Sequence, residues 1–270
     1  MNYKNISDLH THCEFSFDSS ESPDKMLKRA EELGLKYYAL TDHCECHVYF
    51  KDKVYEDMDK AYKWMSKTQR EYKGPVKFLK GIELGQPSQD MKAALHALDG
   101  REYDIVLGSL HNIKDEEDFF FWHRMSMNVD YGLDRYFREI LEMLDYKVFD
   151  ALTHLTYPAR YIYCECGDDI NYKNYIAQVE EVLKKLIKKG CALEVNMKKD
   201  FIKLYDIHPD IEIFKMYKSL GGELVTIGSD AHDTAFLGHG MNDALDMLKN
   251  IGFDSYTVFE KRKPIQISIE

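Results

Sequence analysis

Apolar strand-like runs alternate with amphipathic helix-like runs along the whole of this chain, and most of the strand-like runs end on a histidine or carboxylate. Strand and helix in series imply parallel strands, because a parallel neighbour is reached only through a crossover. Seven strand-like runs are legible. They are the short approach to Asp8-Leu9-His10-Thr11-His12, then Tyr37 to Thr41, Val76 to Leu84, Asp104 to Leu110, Phe149 to Thr153, Cys191 to Asn196 and Glu223 to Ser229. Between them, Ser22-Pro23 opens a helix with apolar Met26, Leu27, Ala30 and Leu33 at helical spacing, stopped by Gly34. Further helices are expected at about 54–72, 91–98, 131–146, 173–189, 209–220 and 241–250. The best formed is 173–189, with Ile176, Val179, Leu183, Leu186 and Ile187 on one face. Its Glu180/Lys184 and Glu181/Lys185 pairs have i,i+4 spacing, and Gly190 caps it. Residues 115–130 form an excursion carrying Phe119-Phe120-Phe121-Trp122, and 156–172 reads as a long tyrosine-rich loop.

Parallel strands build either an open sheet or a barrel, and the polar residues choose between them. His12, His43, Glu83, His111, His154 and His232 fall at the carboxyl ends of different strands. Such ends cannot all converge in an open sheet, whereas in a barrel they ring one mouth. The expectation is a single α/β barrel domain over residues 1–270.

The same residues carry the chemistry. His10 and His12 alternate on a strand and so project from one face. Six strand-end histidines (His10, His12, His43, His111, His154, His232), with Asp18, Glu83 and Asp230, are a costly set to bury without a shared partner. Divalent cations give all nine a partner at once. Nine donors exceed one tetrahedral site, so two or three ions are expected, with Glu83 free to bridge. Imidazole and carboxylate without thiolate suit zinc, iron or manganese. Of the other histidines, His96 and His208 read as surface or packing residues, His123 as core or lid, and His239 as a residue near substrate; His47 is left unassigned.

The formal charge of −11 argues against a nucleic-acid footprint. It leaves room for an anionic substrate bound through metal. No apolar run approaches bilayer length and no leader-like segment follows Met1, so a soluble, cytoplasmic chain without membrane partners is expected. The six cysteines include the C-x-C pairs Cys44/Cys46 and Cys164/Cys166, which lack structural-zinc spacing and read as free thiols. Nothing in the sequence sets an oligomeric state.

The chain resembles the polymerase and histidinol phosphatase (PHP) family of metal-dependent phosphoesterases. The resemblance rests on Asp8-Leu-His10-Thr-His12, Thr41-Asp42-His43, Gly81-Ile82-Glu83, Gly108-Ser109-Leu110-His111, Thr153-His154 and Ser229-Asp230-Ala231-His232, in the family's order over residues 8–232. It implies a distorted (β/α)7 TIM-like barrel with a trinuclear centre. One metal would take His10, His12, Glu83 and Asp230; a second Glu83, His111 and His154; a third Asp18, His43 and His232. Many members have histidine where this chain has Asp18.

Activity is expected to be in-line attack on phosphorus by a water activated between two cations. Arg160 would bind phosphate bidentately, and His232 or Asp230 would assist the leaving alkoxide. Chains of this size with Tyr157-Pro158-x-Arg160 and the late Ser229-Asp230-Ala231-His232 look like those members that hydrolyse L-histidinol phosphate to L-histidinol and phosphate in L-histidine biosynthesis. Glu14, Asp42 or Glu45 would meet the substrate's cationic end, and His239 would contact substrate; Asp42 alternatively orients His43. The aromatic excursion and the tyrosine-rich loop would cover the pocket, or serve as ordinary packing. The competing readings are a PHP phosphoesterase for nucleotides or oligonucleotides, and a non-catalytic module that keeps the fold.

Overall fold

The computed structural model describes residues 5–124, 128–166, 172–198 and 211–270. Its strands are β1 (Ser7–Asp8), β2 (Tyr37–Leu40), β3 (His43–Glu45), β4 (Lys77–Gly85), β5 (Ile105–Ser109), β6 (Ala151–Leu152), β7 (Ala192–Asn196) and β8 (Val225–Gly228), followed by β9 (Ser255–Glu260) and β10 (Lys263–Ser268). The helices are α1 (Pro23–Glu32), α2 (Val54–Glu71), α3 (Met91–Leu98), α4 (Val129–Tyr146), α5 (Tyr157–Cys166), α6 (Ile176–Lys189), α7 (Ile211–Ser219) and α8 (Met241–Ile251).

The parallel order is β1-β2-β4-β5-β6-β7-β8. β2 pairs with residues 77–80 of β4 and β3 with residues 83–85, so the two lie end to end along one edge. The sheet then closes on itself. The Leu9 N–H donates to the Ile227 carbonyl (3.1 Å), Asp230 to His10 (2.8 Å) and His12 to Ala231 (2.8 Å). The expected barrel is therefore present. Its distortion lies in the strands themselves, of which β1 and β6 have only two residues each.

Local sequence accounts for the surrounding helices. α1 starts on Pro23, buries Met26, Leu27 and Ala30, and gives way to Gly34 at φ +69°. α6 buries Val179, Val182, Leu183 and Leu186 and ends on Gly190 at φ +65°. Burying each such side chain is worth roughly 1.5–3 kcal/mol, against a few tenths for a surface pair, so packing holds the helix. Glu180 and Lys184 do pair (2.6 Å), but Lys185 reaches Asp145 instead of Glu181, and Ile176, expected inside, is 44% exposed.

Three elements differ from expectation. Residues 157–166 form helix α5 where a loop was expected, with Pro158 in its first turn and Tyr157, Ala159 and Ile162 buried. β3 is too short to leave a periodic signal. The β9–β10 hairpin, after the last expected helix, lies at the amino-terminal end of the barrel. Lys261 N–H donates to Asp104 (3.0 Å), Arg262 pairs with Asp150 (3.0 Å), and Thr257 accepts from Val225 N–H (3.1 Å). Among the described residues no helix is long and apolar enough to cross a membrane.

Candidate active site

At the carboxyl end of the barrel, Glu83 of β4 is the hub. It is fully buried. Its Oε2 lies 2.8 Å from His43 Nδ1, 3.4 Å from His10 Nε2 and 3.6 Å from His12 Nε2. Its Oε1 lies 3.1 Å from His154 Nε2 and 3.3 Å from His111 Nε2. Asp230 Oδ1 lies 3.5 Å from His12 and 4.0 Å from His10. Asp18, from the loop after β1, lies 2.8 Å from His232 Nε2 and 3.6 Å from His43 Nε2. All nine predicted donors thus meet in one place.

Backbone geometry contributes to this convergence. His154 (φ 25°) and Asp230 (φ 53°) sit in the left-handed region, which costs of order 1–3 kcal/mol for a non-glycine residue. Hydrogen bonds hold both: the His154 N–H donates to Glu194 (3.1 Å) and the Asp230 N–H to the His10 carbonyl (2.8 Å).

Six buried atoms here, His10 Nε2, His12 Nε2, His43 Nδ1, Glu83 Oε2, His154 Nδ1 and His232 Nε2, have no hydrogen-bond partner despite their close neighbours. Donor atoms of His10, His12 and Glu83 lie within 4.8 Å of one another, as do those of His10, His154 and Asp230; of His43, Glu83 and His111; and of His12, His43 and His232. Close but unbonded imidazole and carboxylate atoms suit shared cations, and the donor set fits divalent metal.

Electrostatics agree for the two carboxylates and for His12 and His154, whereas His10, His43 and His111 are raised by the carboxylates beside them. Burial alone would raise Glu83, but His43, His10 and His111 hold it well below the usual carboxylate range. Asp230 is likewise lowered, with Lys198 and His10 outweighing burial. His12 is pushed well down by burial and by His43 and His232, and His154 falls to about 4, chiefly through burial. Ionised carboxylates and neutral imidazoles are ligating forms.

Behind these donors stands a layer that sequence reasoning largely missed. Glu194 Oε1 lies 2.7 Å from His10 Nδ1, and Glu45 Oε1 lies 3.0 Å from His111 Nδ1. Gln86 donates to Glu45 and accepts from the His111 N–H (3.0 Å). Asp8 accepts from Ser229 N–H (2.9 Å) and hydroxyl and from Gly238 N–H (2.9 Å), tying β1 to the loop after β8. A carboxylate within an apolar strand (Glu194 among Ala192, Leu193 and Val195) is the signal that could have found the first of these.

Several expected substrate contacts are placed otherwise. Asp42 is 2% exposed, accepts from Ser16 hydroxyl (2.6 Å) and Cys13 N–H (2.8 Å), and is raised to about 6 by burial. It therefore braces the β1 loop instead of facing the mouth. Its contact with the histidines is indirect, since Ser16 hydroxyl meets both His12 Nδ1 (3.3 Å) and His43 N–H (3.1 Å). Glu45 stands behind His111. Glu14 and His239 are exposed and do not line the central cavity. Arg160, on α5 and 5% exposed, donates to Asn196 (2.6 Å) and Asp230 (3.4 Å), because the helix turns it under the mouth. Among the described residues the lysine or arginine lining the cavity is Lys198, just beyond β7, 3.0 Å from Asp230 Oδ1 and 3.3 Å from His232 Nδ1. The side chain of His123, and His208, lie outside the described residues. Cys13, Cys44, Cys46 and Cys191 are buried free thiols.

The cavity over the donors measures about 320 Å³. Asp18, His43, His111, His154 and Asp230 form its donor-bearing side, and Phe17, Phe120, Phe121, Tyr157 and Tyr161 its aromatic walls. The PHP domain family model matches residues 8–198, most of the barrel. The chain belongs to the PHP domain family. The chain is similar to the probable histidinol-phosphatases of Thermotoga maritima and Clostridium acetobutylicum. The first is 29% identical, with 97% of this chain and 99% of the relative covered. The second is 28% identical, with 95% and 98% covered. A solved structure similar in fold is the histidinol phosphate phosphatase of Lactococcus lactis complexed with zinc, L-histidinol and phosphate. It superposes with a TM-score of 0.79 at 23% identity, over 97% of this chain and 99% of that one.

Proposed function

We propose that this PHP-domain chain is a histidinol-phosphatase, a metal-dependent phosphomonoesterase that hydrolyses L-histidinol phosphate to L-histidinol and phosphate within L-histidine biosynthesis. The observation that carries this reading is the convergence of six histidines and three carboxylates on one cavity, in a chain matching histidinol-phosphatases along nearly its whole length. Three divalent cations, of zinc, iron or manganese, are proposed. His10, His12, Glu83 and Asp230 would hold one, Glu83, His111 and His154 a second, and Asp18, His43 and His232 a third.

Such cations supply Lewis acidity toward phosphoryl oxygens and lower the pKa of an attacking water. The remaining work falls to the chain's own groups. Lys198 faces the cavity and would neutralise a non-bridging phosphate oxygen. Arg160 and Asn196 hold the second oxygen of Asp230 in place. His232 or Asp230, both beside Lys198, would assist departure of the alkoxide by orienting the group or water that protonates it. With substrate bound between them, the aromatic walls would keep bulk water from the reacting groups, which strengthens charge interactions inside.

An extended nucleic-acid substrate is disfavoured by the carboxylates of the adjoining side cavity, Glu45, Asp52, Asp57, Glu116 and Glu117 among them. The test is metal quantitation on protein purified without chelator, paired with steady-state rates on histidinol phosphate, nucleoside monophosphates and a diester. Bound divalent metal and a preference for histidinol phosphate are expected. Glu83→Ala should lose both metal and activity. Faster diester turnover, or a fully active Glu83→Ala, would overturn the reading.

A further inference from the structure

Two phenylalanines are left largely in water at the cavity mouth. Phe17, after β1, is 77% exposed; Phe120, after β5, is 55% exposed. Isolated exposed apolar residues are ordinary, but these two line the same cavity from segments three strands apart in the sheet. Phe17 stacks on His43 with centroids 5.2 Å apart, and His43 stacks in turn on His12 at 4.2 Å. One face of the Phe17 ring is thus fixed by a proposed metal ligand and the other is open.

Asp118 lines the same cavity. Both hydrogen bonds it accepts, from Phe120 N–H (2.7 Å) and Tyr157 hydroxyl (2.8 Å), fall on Oδ1. Its Oδ2 accepts none from the described residues. Phe17, His43, Asp118 and Phe121 also line the side cavity, of about 430 Å³, whose described walls carry carboxylates and no lysine or arginine. The cleft therefore has opposite poles, with Lys198 at the phosphate end and carboxylates at the other.

We propose that Phe17 and Asp118 determine leaving-group specificity: the open face of Phe17 stacks on the planar ring of the substrate's alcohol, and Asp118 Oδ2 receives its ammonium. This rests on the histidinol-phosphatase reading and deepens it. Aromatic stacking and a carboxylate–ammonium pair are complementary to a small cationic ring-bearing alcohol, and unsuited to an anionic or purely aliphatic one. Since Phe17 is anchored by His43, the ring lands beside the donor-bearing side of the cavity, which orients the ester oxygen.

The experiment compares kcat/KM for histidinol phosphate with that for two analogues. 2-Aminoethyl phosphate keeps an ammonium and lacks the ring; 3-(imidazol-4-yl)propyl phosphate keeps the ring and lacks the ammonium. In Phe17→Leu the preference for histidinol phosphate over the ringless analogue should fall about tenfold, mainly through KM, and Phe17→Trp should restore it. In Asp118→Asn the preference over the amine-free analogue should fall about tenfold. General damage lowers both members of a pair together, so the ratios isolate recognition. Unchanged ratios, or equal losses on both members, overturn the subsite and leave the phosphatase reading standing. A wild-type protein that hydrolyses the analogues but not histidinol phosphate overturns that reading, and the subsite with it.

Discussion

Gly228, the last residue of β8, lies so close to His10 that the two cannot both carry a methylene in their present positions. A methyl group added at Gly228 would overlap the His10 side chain at Cβ and come within 2.7 Å of Glu194 Oε1. Gly228→Ala should therefore destabilise the protein by roughly 1–3 kcal/mol, the usual cost of overpacking. It should also lower metal stoichiometry, because the strain is relieved by moving His10. Urea unfolding and metal analysis of the same preparation check this; a variant with wild-type stability and metal content would show that the approach is not tight in solution.

Glu194 braces two donors from different strands. One oxygen meets His10 Nδ1 at 2.7 Å, and the other accepts from His154 N–H (3.1 Å) and Asn196 (3.0 Å). Glu194→Gln keeps the shape but removes the charge, and should weaken metal affinity about 10–100-fold. Competition with a chromogenic chelator measures it. Wild-type affinity in this variant would mean that His10 needs no orienting partner.

Metal affinity should rise with pH. Burial would lower His10, His43 and His111, yet nearby carboxylates hold all three well above the ordinary imidazole value of 6.5. Glu194 and Glu83 act on His10, Glu83 and Asp18 on His43, and Glu45 and Glu83 on His111. Raised imidazoles hold protons at neutral pH, and those protons must leave before the rings can ligate. Each displaced proton steepens affinity by about tenfold per pH unit below the imidazole's own pKa. His12 and His154, already lowered, add nothing to that slope near neutrality. Calorimetry in buffers of different ionisation enthalpy counts the protons; a pH-independent affinity contradicts the assignment.

Lys198→Ala should cut kcat/KM for histidinol phosphate about 10–100-fold and weaken competitive inhibition by inorganic phosphate in parallel. Lys198→Arg, which keeps the charge, should recover most of it. Unchanged phosphate inhibition in the alanine variant would assign phosphate binding elsewhere on the cavity wall.

Much of this site is legible in the sequence because of where barrel donors must stand. A residue such as His43, His111 or His154 ends an apolar run, and run ends are visible without coordinates. Lys198 and Glu194 escape the same reading for different reasons. Lys198 follows the one expected strand to which no ligand was assigned, and a lone lysine beyond Asn196 has no pattern. Glu194 points inward from within a strand, where a single carboxylate looks like an interruption of the core. Arg160 shows the opposite error. Its motif is conspicuous, but whether residue 160 lies on a loop or a helix decides which way the guanidinium turns, and Tyr157-Pro158 is compatible with either. The hairpin was missed although Ile265, Ile267 and Ile269 alternate with polar residues, because it follows the last β–α unit that the barrel pattern calls for and β10 is exposed at most positions.

That hairpin has a kinetic consequence. By tying Asp104, Asp150 and Val225 together beneath the sheet, it covers the end of the packed barrel opposite the donors, so on the proposed reaction substrate would enter and both products would depart at the donor end. There the alcohol rests nearer the opening, against Phe17, and phosphate lies deeper. Release would then be ordered, the alcohol first and inorganic phosphate last.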